Sequence, residues 1–72
     1  MRERRCRCFL AAAGPHLLAE DYDDFAEMME AYVSGDTDRQ ESALRRASEK
    51  RGAPASSRLT AAFKGAVRDC QQ

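Results

Sequence analysis

The chain has 72 residues, 43% of them hydrophobic, with no Trp and a formal net charge of zero at pH 7, a length that allows one small domain burying roughly 60% of the surface its unfolded form exposes. Large apolar side chains are few, Ile is absent and alanines supply much of the apolar fraction, which predicts closely packed helices rather than a deep interior. Ala, Arg, Glu, Leu and Met dominate over β-branched residues, and no stretch alternates apolar and polar with period two, which predicts an all-α fold, a small bundle of four to five helices.

Residues 1–8 form a basic N-terminal arm, four Arg against Glu3 for a charge of +3; residues 9–72 are expected to make a single helical-bundle domain. A first helix is predicted over about residues 6 to 19, with Phe9, Leu10, Ala13, Leu17 and Leu18 on one side. Pro15 removes a hydrogen bond and clashes with the preceding turn, so this helix is expected either to kink near Gly14 or to begin there. The Arg2–Arg7 stretch followed by FLAAA mimics the front of a signal peptide, but the apolar run breaks at Gly14-Pro15 and is far too short to span a bilayer. A soluble intracellular chain is expected.

The stretch YDDFAEMMEAYVSGD, Tyr22 to Asp36, reads as an amphipathic helix with its own start and stop. Asp21 is placed to cap it, Asp23, Asp24 and Glu27 suit the positive end of the helix dipole, and Gly35 suits a left-handed C-terminal position. Tyr22, Phe25, Met29, Tyr32 and Val33 share one stripe, with Asp24, Glu27 and Glu30 mainly outside it. Thr37 and Gln40 resemble a capping box opening a third helix over residues 38–51, whose apolar content is only Ala43, Leu44 and Ala47. The segment from Gly52 to Ser57 reads as a linker with Ser56 or Ser57 as the next cap. Leu59, Ala62, Phe63, Ala66, Val67 and Cys70 then follow helical spacing over nearly four turns and are expected to bury one face against the second helix.

Charge is unevenly laid out. Residues 20–41 carry nine acids against Arg39, a sum of −8, and residues 42–72 carry seven bases against two acids, a sum of +5. The simplest expectation is that the acidic helix packs near the basic ones; the sharper one is a polarised surface that orients a charged partner.

Little in the chain carries catalytic chemistry. His16 is the only histidine and has no nucleophile positioned beside it, the helix-surface acids lack a cleft, and no glycine-rich phosphate loop is present. No enzyme and no cofactor is expected. Cys6, Cys8 and Cys70 cannot all pair within the chain, and a zinc site would need Cys70 and His16 to join Cys6-x-Cys8 from distant positions, so reduced, buried or idle thiols are expected.

The series Phe9-Leu10, then Tyr22-x-x-Phe25-x-x-x-Met29-x-x-Tyr32-x-x-x-Asp36, then Leu59-x-x-x-Phe63-x-x-x-Val67-Arg68 resembles the harmonin-homology domain, in particular the copies that follow the helicase core in the regulator of telomere elongation helicase. The resemblance covers about residues 9 to 68; Gly14-Pro15 interrupts the family's continuous first helix, and the histidine-containing segment that follows Arg68 in the family is missing. It implies a compact helical bundle that binds helical peptide segments, with partners in replication and repair such as replication protein A, and a nuclear location.

These readings converge on a non-catalytic protein-interaction module. Tyr22, Phe25, Met29, Tyr32, Leu59, Phe63 and Val67 are expected to be its structural core. A groove between the second, third and fourth helices is expected to take an amphipathic segment, with Met28 and Leu44 as apolar contacts and Lys64 and Arg68 as a charged rim. Two alternatives remain: a nucleic-acid-associated factor using the basic arm with Arg45, Arg46, Lys50 and Arg51 on the third helix, and a self-associating bundle.

Overall fold

Pro15 sets where the first helix stops. The computed structural model describes residues 2–70; within them α1 spans Arg2–Ala13 and gives way to a 3-10 turn at Gly14–His16. Pro15 sits in the first positions of that turn, where its missing N–H and fixed φ cost nothing. Leu17 then extends, at φ −110° and ψ 147°. The first helix therefore ends, instead of kinking through residue 19 or beginning at Gly14. Residues 2–8 are its opening turns.

A second 3-10 turn, Ala19–Asp21, leads into α2, Tyr22–Ser34. Gly35 ends α2 in the left-handed region at φ 75°, as its lack of a Cβ suggested. Its N–H bonds the Tyr32 carbonyl at 3.1 Å and the Asp36 N–H bonds the Ala31 carbonyl at 2.8 Å, the paired bonds of a Schellman stop. Asp36, one residue ahead of the expected Thr37, caps α3, Thr37–Arg51: its carboxylate accepts the Arg39 N–H at 3.0 Å. The third helix needed a short acceptor three residues before a free N–H, and Asp36 fills that place.

Gly52 alone joins α3 to α4, Ala53–Asp69. At φ 88° and ψ 172° it turns the chain in one residue, a conformation open to glycine. The expected linker is therefore the first turn of α4, with Pro54 in its opening positions, and neither Ser56 nor Ser57 is the cap.

The bundle is all-α, with four α-helices and no strand among the described residues. α2 packs chiefly on α3, α3 on α4 and α1 on α4, with a lighter contact between α2 and α4. The radius of gyration is 11.1 Å, near the ~11 Å of a compact chain this long. Ala13, Ala43, Ala47, Ala55, Ala62 and Ala66 are fully buried. α3 buries nothing larger than alanine, so the helices approach closely around Phe25, Met28 and Leu59.

Three expectations about side chains are corrected. Tyr22 and Tyr32, placed in the core from their spacing, are 39% and 38% exposed. Met28, placed on the surface, is 1% exposed. One cause accounts for both: α2 is rotated towards α3, where Asp24 and Glu27 reach basic side chains, and its buried arc runs through Phe25, Met28, Met29 and Ala31. Phe25, Met29 and Leu59 are core as expected, and Phe63 and Val67 are partly buried against it.

The third correction concerns the thiols. Cys8 and Cys70 form a disulfide across 62 residues, with their Cα atoms 5.9 Å apart, within the usual range for a bridge. It ties α1 to the residue that follows α4. Neither sulfur is left for a metal, and no group of metal-ligating side chains occurs among the described residues. No helix among them is long and apolar enough to cross a membrane.

Candidate interaction surface

Asp21 stands at the N-cap position of α2 but does not cap it. Its carboxylate instead accepts the Leu18 N–H at 2.9 Å, the Arg58 Nε at 2.8 Å, the Arg58 Nη2 at 3.2 Å and the Arg51 Nη1. The side chain is fully buried. The Arg58 guanidinium, helped by the Leu18 N–H and Arg51 and opposed by burial, holds its carboxyl down to about 2. The same contact pushes the Arg58 guanidinium up. A buried carboxylate with this many donors is fully compensated, which is what its burial requires.

The ion pairing continues along the α2–α3 seam. Arg51 also reaches Asp24, Arg46 reaches Glu27, and Arg39 bonds Glu30 at 3.3 Å. The acidic second helix thus packs on the basic third one, the simpler of the two charge expectations. The outer pairs are half exposed and contribute little each. Asp21 is different, because it joins the turn before α2 to the end of α3 and the start of α4. Its pattern in the sequence is only an acid ahead of a helix with bases 30 and 37 residues on, and capping chemistry explains such an acid equally well.

The expected groove between α2, α3 and α4 is not assembled from the residues proposed for it. Met28 belongs to the core, and Leu44 is half-buried against it. Lys64 and Arg68 lie exposed on α4, and Arg68 Nε bonds Asp69 at 3.1 Å. Of the bases on α3, Arg46 and Arg51 are taken up by α2 acids, while Arg45 and Lys50 are exposed. His16 is exposed too.

The apolar surface lies elsewhere. Tyr22, Ala26 and Val33 share one face of α2 and are exposed, on either side of the buried Met29. At the end of that helix the Tyr32 ring meets two others edge-on, Phe9 of α1 at 6.5 Å and Phe63 of α4 at 5.4 Å between centroids. Such pairs contribute about 0.5–1.5 kcal/mol beyond the area they bury. Tyr32 thus bridges a seam between α1 and α4 while remaining partly in solvent. Leu10 and Leu18 are further exposed apolar side chains, at 44% and 50%. No family model matches the chain, and neither a curated protein nor a solved structure matches it.

Proposed function

We propose that the chain is a non-catalytic protein-interaction module that receives an amphipathic helix of a partner along the seam where Tyr32 lies between Phe9 and Phe63. The observation that carries this reading is the exposure of apolar side chains on one helix: Tyr22, Tyr32 and Val33 of α2 are each nearly two-fifths exposed. Apolar side chains left in solvent on one helix support a docking role for that side of the bundle. Lys64 and Arg68, adjacent in sequence to Phe63 and Val67, are retained as its charged rim; Met28 and Leu44 are not part of it.

The harmonin-homology resemblance would make the partner a replication or repair factor and the location nuclear. That compartment is reducing, so the Cys8–Cys70 bridge would be open there. The nucleic-acid reading is not favoured, since Arg46 and Arg51 are spent on Glu27, Asp21 and Asp24.

A titration of isotope-labelled chain with amphipathic helical peptides tests the reading. Shifts at Tyr22, Tyr32, Val33 and Phe63 are expected; shifts confined to residues 2–8 would count against it.

A further inference from the structure

α1 and α2 approach each other chiefly through two tyrosines. At one end the Tyr32 ring meets Phe9 edge-on; at the other the Tyr22 phenol oxygen stands 3.8 Å from where a Cβ on Gly14 would be. Backbone contacts between the two helices are few. The two anchor points pair a later residue of the first segment with an earlier one of α2, so the helices run in opposite directions. Leu10 falls between the tyrosines, alongside Ala26 and Met29, and Arg7 falls level with Tyr32 and Val33. Leu10, Ala26 and Val33 are exposed, as are Arg7 on α1 and Asp23 and Glu30 on α2. One face of the bundle thus has an apolar middle, positive charge at the start of α1, where residues 1–8 sum to +3 in the sequence, and negative charge along α2.

The geometry points to a second copy of this chain as the occupant of that face, packed about a two-fold axis parallel to α1 and α2, so that α1 of each copy lies over α2 of the other. α1 stays seated in its own bundle and offers only its outer side, Arg7 and Leu10. The amphipathic helix that the docking side of α2 receives is then this one; the inference names the partner for the proposed function and rests on it.

Charge decides both the occupant and the axis. Rotation about an axis along the helices exchanges α1 and α2 and keeps their levels, so Arg7 of each copy meets Glu30 of the other and opposite charges face each other twice. Rotation about the perpendicular axis would lay α2 on α2 and set Glu30 against Asp23, a like-charge contact. Glu30 bonds Arg39 at 3.3 Å, yet 69% of its side chain is in solvent, and its carboxylate has acceptor capacity left for a second guanidinium. The formal net charge of zero puts no overall repulsion between copies. A core whose largest fully buried apolar side chains are Phe25, Met28 and Leu59 is of the thin kind that oligomerisation stabilises in short chains.

Sedimentation equilibrium of the full oxidised chain over a wide range of concentration tests the inference. A species of twice 8.0 kDa is expected, dissociating on dilution and more readily with added salt. Val33→Glu, at an exposed position, should leave circular dichroism unaltered and weaken association at least about tenfold. Arg7→Glu and Glu30→Arg should each weaken it alone, since each sets like charges together twice. Mixed in equal amounts, the two variants should associate as tightly as the parent, because both contacts between unlike copies are again oppositely charged. A dimer indifferent to Val33→Glu, or a mixture that stays dissociated, would overturn the arrangement, and so would a monomer at every concentration. The peptide titration separates this failure from that of the proposed function. A monomeric chain that still shifts at Tyr22 and Val33 with helical peptides loses the second copy and keeps the docking side; one that captures no peptide loses both.

Discussion

Asp21 and Arg58 are 37 residues apart in sequence, yet the Asp21 carboxylate accepts both Nε and Nη2 of Arg58, at 2.8 and 3.2 Å. With Arg51 on the same carboxylate, one buried acid fastens the turn before α2 to the joint between α3 and α4. Polar side chains with so many partners fix geometry as well as contributing energy, because each alternative packing leaves a donor or the acid unpaired.

Removing that acid should therefore be costly. Asp21→Ala leaves two partly buried guanidinium groups without their shared partner, and a loss of about 3–5 kcal/mol is expected. Arg58→Lys keeps the charge but gives up the two-pronged contact, and should fall between the variant and the parent. Urea unfolding of the three proteins checks the order.

Acid should loosen the bundle in a defined window. The carboxyl of Asp21 is held at about 2, against an ordinary value of 3.8. A group depressed in the folded state contributes its stability fully above the unfolded value and loses it as pH falls through the folded one. About 2 kcal/mol should thus disappear between roughly pH 4 and pH 2. Unfolding free energies measured across that range should decline in the parent, and less steeply in Asp21→Asn.

The disulfide should matter in proportion to the loop that it closes. With 62 residues of separation, chain entropy gives about 4 kcal/mol of stabilisation. Thermal unfolding with and without a reductant should show the reduced midpoint well below the oxidised one. Cys8→Ser and Cys70→Ser should each behave like the reduced chain and be insensitive to reductant.

Two aromatic truncations on α2 should separate scaffold from surface. Phe25 is fully buried, and Phe25→Ala should cost about 3–5 kcal/mol, much of the stability that a chain of this size holds. Tyr22 is 39% exposed, and Tyr22→Ala should leave far-UV circular dichroism and the midpoint nearly unchanged. A folded Phe25→Ala variant that had lost only peptide binding would reverse the assignment of core and docking surface.

The helical periodicities read directly from the sequence, because each depends on residues three or four apart. Leu59, Ala62 and Ala66 marked the buried face of α4, and Gly35 marked the stop of α2 for a reason local to one residue. The rotation of α2 was not readable in the same way. It depends on α3, which packs on that side of α2 and leaves Met28 inward and Tyr22 outward. Pairing of Cys8 with Cys70 and of Asp21 with Arg58 likewise requires knowing that the ends of α1 and α4 meet and that α4 begins beside α2. Local rules placed Asp21 at a helix start; its charged partners, Arg51 and Arg58, lie 30 and 37 residues further on. The aromatic seam was hidden for a related reason, since Phe9, Tyr32 and Phe63 sit on three different helices.

The bridge between Cys8 and Cys70 also makes the intervening chain a closed ring. A single proteolytic cut in any of its turns would leave the two pieces covalently joined, so nicked and intact protein would separate on a denaturing gel only after reduction. The ring closes where the Cα atoms of residues 8 and 70 stand 5.9 Å apart, so the two pieces of a nicked chain would stay joined where α1 meets the end of α4.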